Sequence, residues 1–193
     1  MNDSTILDIP KVYPEIVTKS KEIGFTMPSD LYIGSLLKTL IASKPAANIL
    51  ELGTGIGLSL SWMIDGMDID SKITTVDIDP ELIKIAQTNF EKDKRVNIIC
   101  QDGTKWIKEY TGKKFDLIFA DAWPGKYSEI DEVLDFLAIG GIYIIDDMSS
   151  QPNWPDGHQK YVDNLILYLE ERKDFSLTKL SWSTGIVIAV RKY

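Results

Sequence analysis

The sequence predicts a doubly wound α/β domain with a seven-stranded, mainly parallel sheet that ends in a C-terminal antiparallel hairpin. Short apolar runs alternate along the chain with stretches in which apolar residues recur at helical spacing. Such alternation requires crossover connections, which join parallel strands and cover both faces of the sheet with helices. Only the short turn at residues 183–185 separates the last two runs, which predicts that they pair as an antiparallel hairpin.

The strand-like runs are the first elements that this fold requires. In chain order they are NILEL (48–52), KITTVDI (72–78), VNIIC (96–100), FDLIFAD (115–121), GIYIID (141–146), FSLTKLSW (175–182) and IVIAVRK (186–192). The helices are placed by apolar faces and capping residues. Ser29 is predicted to cap a helix that ends before Pro45, and Asp79 with Pro80 predicts the start of another. Leu137 is placed on the apolar face of a later helix.

Composition limits the domain count and the classes of partner. The 193 residues suit one domain, predicted at 28–193, preceded by an N-terminal arm at 1–27 that is expected to be loose with a short helix at most. A net charge of −8 argues against nucleic-acid binding, which needs clustered lysine and arginine. The absence of a membrane-spanning run and of a signal-peptide pattern predicts no membrane partner and a cytoplasmic location. The single cysteine, Cys100, is predicted to be a buried, inert thiol.

The stretch NILELGTGIGLSLS (48–61) raises the question of a ligand, because three glycines alternate directly after the first strand. Glycines there let the backbone turn sharply and approach a ligand closely. A phosphate-binding P-loop would need a lysine directly after the last glycine, and Leu58 stands there. A dinucleotide fingerprint would need a third glycine at Leu58 or Leu60. The spacing therefore discards a P-loop and disfavours a dehydrogenase.

The glycine motif and four later motifs resemble the class I methyltransferases that use S-adenosylmethionine, and in particular the cation-dependent O-methyltransferases of the catechol and caffeoyl-coenzyme A group. The later motifs are TTVDIDPELIKIAQTNF, CQDG, FDLIFADAWPGKY and GGIYIIDDM, in the order and spacing of that group. The resemblance covers residues 28–193 and implies a Rossmann-like fold. It also implies an enzyme of the EC 2.1.1 class that transfers a methyl group, on the O-methyltransferase pattern, to a small molecule.

The resemblance also implies which residues bind the cofactor. Asp77 would take the ribose hydroxyls, and Asp102 would face the adenine amino group. S-adenosylmethionine carries two cationic groups, one carboxylate and no phosphate, so it suits acidic side chains together with the backbone N–H groups at a helix N-terminus. The implied cofactor positions are Glu51, Gly53, Thr54, Gly55, Gly57, Ser59, Asp77, Ile78, Asp102, Gly103 and Asp121.

A divalent cation, with Mg²⁺ as the natural candidate, is implied at Asp121, Asp146 and Asp147, because the cation-dependent group holds its ion at these positions. Asp147 stands where the group has asparagine, and Pro124 stands where it has its lysine base. The alternative is that Asp146 and Asp147 cap the loop and bind substrate or cofactor directly. Lys126, two positions after Pro124, is an alternative for the lysine of the group, but because Tyr127 aligns with the tyrosine of the group without a gap, Lys126 is interpreted as the start of the next helix.

The long loop after the fifth strand is predicted to lie over the site, because loops at this end of the fold commonly carry function. His158, the only histidine, is a candidate general base beside the catalytic candidate Asp121; otherwise it is a polar residue in the first turn of the next helix. Trp123 and Trp154 suggest an aromatic methyl acceptor. A metal-independent N- or C-methyltransferase and a catalytically inactive nucleoside-binding protein remain alternatives, and the resemblance makes a homodimer a candidate assembly.

Overall fold

A computed structural model describes residues 2–151 and 154–193 and confirms the predicted seven-stranded sheet. The strands are β1 (Asn48–Leu52), β2 (Lys72–Asp77), β3 (Val96–Cys100), β4 (Phe115–Ala120), β5 (Leu137–Ile145), β6 (Phe175–Leu180) and β7 (Ile186–Arg191). Their order in the sheet is β3-β2-β1-β4-β5-β7-β6. Strands β1 to β5 pair in parallel, whereas β7 runs antiparallel to both β5 and β6, as the short turn predicts.

The order of the strands also locates the ligand site. The chain builds outward from β1 through β2 to β3 and then returns to β4 on the other side of β1. In doubly wound sheets ligands bind beyond the carboxyl ends of the strands, at the point where the order reverses. The ends of β1 and β4 are therefore the place where this fold opens a crevice.

Seven helices of the described chain cover the sheet, and alternate strand residues divide the core into two layers. The helices are α1 (Tyr13–Glu22), α2 (Leu31–Ala42), α3 (Leu58–Gly66), α4 (Pro80–Phe90), α5 (Gly103–Glu109), α6 (Ile130–Asp135) and α7 (His158–Glu171). Ile49 packs with α1, α2 and α3, whereas its neighbour Leu50 packs with α5, α6 and α7. Successive strand side chains point to opposite faces, so both faces need an apolar cover. No helix within 2–151 and 154–193 has the length and hydropathy to cross a bilayer.

The helix caps agree with the prediction at α4 and differ from it at α2. The Asp79 carboxylate accepts the first N–H groups of α4, as predicted. At α2 the N-cap is Asp30 and not Ser29, because the Asp30 carboxylate accepts from the backbone N–H groups of Tyr32 (2.8 Å) and Ile33 (3.0 Å).

Two further predictions were wrong because they did not account for where the strands lie in the sheet. Leu137 opens β5 instead of extending α6, because it is buried opposite Phe115 of β4 after the helix has ended at Asp135. Cys100 is exposed and not buried. It lies on β3, which forms an edge of the sheet, and so its side chain lacks the cover that a central strand receives.

The N-terminal arm is more ordered than expected, since it carries the ten-residue helix α1. Ile16 on this helix is 1% exposed, and the ring of Tyr13 meets Trp62 of α3 edge-on at 5.5 Å between centroids. The chain that follows α1 brings Phe25 against Gly55 in the glycine loop. Helix α1 is therefore part of the apolar layer on one face of the sheet.

We expect Ile16→Ala to lower the free energy of unfolding by about 2–5 kcal/mol, the usual cost of truncating a fully buried aliphatic side chain. Denaturant unfolding followed by circular dichroism measures it. Ile23→Ala is the matched control, because Ile23 follows the same helix but is 43% exposed. Equal, near-zero losses in the two variants would show that α1 does not contribute to the core.

Candidate active site

A cleft of about 630 Å³ opens at the carboxyl ends of the strands, where the strand order reverses. Its volume lies within the usual range for small-molecule and cofactor sites. The glycine loop and the end of β2 form one side, and the loops after β4 and β5 form the other. Ten of the predicted site residues line it: Gly53, Thr54, Gly55, Ser59, Asp77, Ile78, Asp121, Asp146, Asp147 and His158.

The glycine loop lies close against its neighbours. Gly53 has a φ of +103°, and a Cβ there would lie 2.7 Å from the carbonyl oxygen of Asp121. Glycine is thus required for the ends of β1 and β4 to approach one another. The Asp77 carboxylate accepts from the backbone N–H groups of Gly55 (2.8 Å) and Asp79 (3.0 Å) and so ties the loop to the end of β2. A carboxylate has about four lone-pair sites, so Asp77 retains acceptor capacity for a ligand hydroxyl.

Glu51 lies beneath the loop and does not line the cleft. Its side chain is fully buried, and its two carboxylate oxygens accept from the hydroxyls of Ser59 on α3 and Thr75 on β2, each at 2.5 Å. Burial raises the pKa of Glu51 from its ordinary value of 4.5 to about 8, against the opposing effect of the two hydroxyls. Glu51 therefore joins two strands to the helix that follows the glycine loop.

Three other positions predicted to bind the cofactor also lie outside the lining of the cleft. The Asp102 carboxylate accepts from the Lys105 backbone N–H at 2.8 Å and caps α5, which begins at Gly103. Gly57 has a φ of +92° and starts α3. The described geometry gives these residues structural roles, and their contact with a cofactor stays a prediction.

Lys126 was considered as a substitute for the lysine of the resembled group and then interpreted as a helix start, and that second interpretation was wrong. Helix α6 begins only at Ile130, and the Lys126 side chain turns into the cleft with 5% exposure. Its ammonium donates to the carbonyl oxygen of Asp146 at 2.6 Å. The available signal was the dipeptide Pro124-Gly125, which marks a turn and not a helix start.

The carboxyl groups around this ammonium have raised pKa values. Burial, followed by the charge of Asp146, raises the pKa of Asp121 to about 8, and the Lys126 ammonium opposes this. Burial raises the pKa of Asp146 to about 6, opposed first by the hydrogen bond from Thr184. Burial lowers the pKa of Lys126, while the three aspartates oppose that shift, led by Asp121. The cleft therefore holds buried acids whose protonated forms are favoured by burial, and the charge of the buried Lys126 opposes that effect.

The three aspartates share the cleft but do not form the predicted divalent-cation site. Within the two described ranges no group of three or more histidine, cysteine, aspartate or glutamate side chains is arranged to hold a metal ion. One carboxylate oxygen of Asp146 accepts from the backbone N–H of Asp147 (2.8 Å) and from the Thr184 hydroxyl. The Lys126 ammonium already supplies a positive charge there. The three carboxylates therefore do not converge on one point in this arrangement, and the divalent cation stays a prediction from the resemblance.

Aromatic side chains form the opposite wall of the cleft. Trp123 packs against Tyr127 and Tyr161 with ring centroids 4.9 Å apart, and the rings of Trp154 and His158 lie 4.5 Å apart. Tyr161 is 50% exposed beside Trp123 and does not itself line the cleft. We call the other four side chains, Trp123, Tyr127, Trp154 and His158, the aromatic wall; all of them except Tyr127 were predicted to belong to the site.

His158 begins the helix after the long loop, as one of its two interpretations predicted, and its role as a general base stays a prediction. It is the first residue of α7, and its ring also lines the cleft. Its Nε2 atom lies 3.1 Å from the Tyr127 hydroxyl. Burial lowers the pKa of His158, assisted by the charge of Lys126 and opposed by Asp147. Near neutral pH the imidazole is therefore uncharged, and it can accept a proton.

The raised pKa of Glu51 predicts a pH dependence of stability. The folded protein retains a proton that the unfolded chain releases, so the contribution of Glu51 is complete below pH 4.5 and is lost as the pH rises through 8. The side chain of Glu51→Gln stays neutral at every pH. We therefore expect the melting temperature of this variant to rise relative to that of wild type as the pH is raised from 4.5 to 8. Thermal scans at several pH values measure the difference. Glu171→Gln, on the exposed face of α7, should follow wild type, and a Glu51→Gln curve parallel to wild type would contradict the expectation.

Comparison with known proteins identifies similar sequences over most of this chain. The model of a family described as O-methyltransferase matches residues 14–170. A predicted O-methyltransferase from Mycobacterium ulcerans is 25% identical over 179 residues, which cover 88% of this chain and 79% of that protein. Another, from Mycobacterium leprae, is 32% identical over 110 residues; this covers 55% of the chain but only 49% of that relative.

Solved structures share the fold over nearly the whole chain. The O-methyltransferase from Bacillus cereus in complex with S-adenosylhomocysteine has a TM-score of 0.83 at 20% identity, covering 98% of this chain and 94% of that one. The O-methyltransferase TomG from Streptomyces achromogenes, in complex with S-adenosylmethionine, has a TM-score of 0.84 at 19% identity, covering 98% and 93%. At these identities the agreement concerns the fold, and it confirms the predicted Rossmann-like arrangement.

Proposed function

We propose, from the premise that this chain belongs to the O-methyltransferase family, that it transfers a methyl group from S-adenosylmethionine to a hydroxyl oxygen of a small molecule. The observation that carries the proposal is the cleft at the switch point. The glycine loop, held by the Asp77 carboxylate, lies on one side of the cleft, and the aromatic wall lies on the other. Buried acids and the Lys126 ammonium also line the cleft. That arrangement has room for a cofactor and an acceptor side by side.

The cofactor is proposed to lie along the glycine loop and the end of β2. Backbone N–H groups at the start of α3 suit its carboxylate. The spare lone pairs of Asp77 suit the ribose hydroxyls, and Ile78, which is 65% exposed at the cleft, offers an apolar surface to the adenine. Acidic side chains suit the ammonium and sulfonium groups. The complexes of the Bacillus and Streptomyces proteins support this choice of cofactor.

The reaction we propose is an in-line displacement. The acceptor oxygen forms a bond to the methyl carbon while the carbon–sulfur bond breaks. The electron pair of the broken bond stays on sulfur, which becomes a neutral thioether. The hydroxyl proton passes to the uncharged imidazole of His158. Holding oxygen, carbon and sulfur in line is the main contribution a protein makes to such a step. Asp121, which accepts from the Ser29 hydroxyl at 3.4 Å, is proposed to face the reacting groups.

The acceptor is proposed to be a small aromatic alcohol, because flat rings stack on aromatic side chains such as those of the aromatic wall. Trp123 is 47% exposed at the rim and is available for such contact. A homodimer and a cytoplasmic location remain predictions from the sequence.

Cofactor binding is tested with S-adenosylhomocysteine in a calorimetric titration. We expect a micromolar Kd, weakened about tenfold or more by Asp77→Asn, because an amide is a poorer acceptor for two hydroxyls than a carboxylate. Asp79→Asn is the matched control, since asparagine caps a helix about as well as aspartate does. Absence of binding in the wild-type protein would reject the proposed function.

Turnover is tested by measuring S-adenosylhomocysteine formation with a panel of phenols and catechols. With the first acceptor found, His158→Gln should lower kcat about 10²-fold or more, the usual contribution of a general base, while leaving the affinity for S-adenosylhomocysteine unchanged. An unchanged kcat would show that a group other than His158 accepts the hydroxyl proton. Cofactor binding without turnover on any acceptor would favour the catalytically inactive binding protein.

A further inference from the structure

We propose that the Tyr127 hydroxyl is a second catalytic group, which carries the proton of the acceptor to His158 and fixes which nitrogen of the imidazole receives it. The inference rests on the proposed function and deepens it, because it states the path by which the acceptor loses its proton. The state of the imidazole, however, can be measured without any methyl transfer.

The first argument is the contact between the two side chains. The Tyr127 hydroxyl lies 3.1 Å from the Nε2 atom of His158, and the two rings meet edge-on with centroids 5.3 Å apart. Both residues line the cleft. Within residues 2–151 and 154–193 this hydroxyl is the one hydrogen-bond partner of the imidazole. The Tyr127 hydroxyl therefore occupies the Nε2 side of the ring.

The second argument is that backbone turns hold both residues. The Tyr127 N–H donates to the Trp123 carbonyl oxygen at 2.9 Å in the turn after β4, and the His158 N–H donates to the Pro155 carbonyl oxygen at 3.1 Å where α7 begins. Aromatic rings also flank the pair, because Trp123 packs on Tyr127 and Trp154 packs on His158. The position of each ring thus follows from a local turn and from a packed neighbour.

The third argument concerns which group donates in this hydrogen bond. An uncharged imidazole has one N–H group and one nitrogen with a free lone pair, whereas a phenol has one O–H group. Imidazole nitrogen is a far stronger base than phenol oxygen, so the Tyr127 O–H donates to Nε2 and the ring proton of His158 lies on Nδ1. The one basic lone pair of the imidazole is then reached through the Tyr127 hydroxyl.

The proton transfer therefore has two linked parts. As the acceptor oxygen bonds to the methyl carbon, its proton passes to the Tyr127 oxygen, and the proton already on that oxygen passes to Nε2. Tyr127 ends as a neutral hydroxyl and His158 as an imidazolium, which later releases its proton to water. Burial, followed by the charges of Asp147 and Asp121, raises the pKa of Tyr127. A free phenolate is thus disfavoured, which favours the movement of both protons together.

The state of the imidazole is tested by nitrogen NMR of protein labelled with ¹⁵N-histidine. His158 is the only histidine of the chain, so the spectrum reports this ring alone. At about pH 8, well above the ordinary histidine pKa of about 6.5, we expect the proton on Nδ1 in wild type. Tyr127→Phe should move it largely to Nε2. Tyr161→Phe is the matched control and should keep it on Nδ1, because Tyr161 packs against the same Trp123 ring but lies outside the lining of the cleft.

A wild-type ring with its proton on Nε2 would overturn the proposal, because Tyr127 would then accept from His158 and leave Nδ1 as the base. This measurement decides the direction of the hydrogen bond even if Tyr127→Phe does not fold.

The catalytic use of the relay is tested with the first acceptor found. Tyr127→Phe should lower kcat about tenfold or more with a smaller change in the KM of the acceptor. The double variant Tyr127→Phe/His158→Gln should be no slower than His158→Gln alone, because the two groups act on one proton path. Multiplying losses, or an unchanged kcat in Tyr127→Phe, would overturn the relay. Absence of S-adenosylhomocysteine binding would reject the proposed function and with it the relay, whereas turnover by a protein with its imidazole proton on Nε2 would reject only the relay.

Discussion

The site depends on the buried hydrogen bonds of Glu51. One carboxyl group in the middle of the sheet joins β1, β2 and α3 through the hydroxyls of Thr75 and Ser59. The glycine loop lies between the elements that these bonds hold together, and Asp77 ties its far side through the Gly55 N–H. Burial raises the pKa of Glu51 and favours the protonated acid, although the two hydroxyls oppose this shift. A neutral, hydrogen-bonded group at this depth positions the loop without placing a buried charge beneath it.

The opposite side of the cleft is organised by charge. Burying several acids together is unfavourable, and the charge of Lys126 offsets part of that cost at Asp121 and Asp146. Lys126 belongs to the turn after β4, so its position follows from the fold of that turn. The same turn carries Trp123 and Tyr127, and it thereby couples the placement of the cation to the placement of the aromatic wall.

Much of the fold follows from local pattern. Strand–helix alternation, the Asp79 cap and the short hairpin turn depend on residues near one another in sequence, and all three were predicted correctly. The predictions that failed depended on distant contacts. Leu137 joins a strand because Phe115 lies opposite it, and Cys100 is exposed because β3 has a neighbour on one side only. Periodicity within a segment contains no information about either neighbour.

The doubly wound fold, the glycine loop and the acid at the end of β2 could be read from the sequence, because each rests on spacing within one strand–helix unit. What fills the other half of the cleft depends on tertiary contacts. Lys126, Asp146 and Thr184 lie far apart in the chain, and His158 begins α7 whereas Tyr127 lies in the turn after β4. Their meeting depends on the order of the strands and the path of each loop. Hydrogen bonds and charges between such distant residues leave no periodic trace in the sequence.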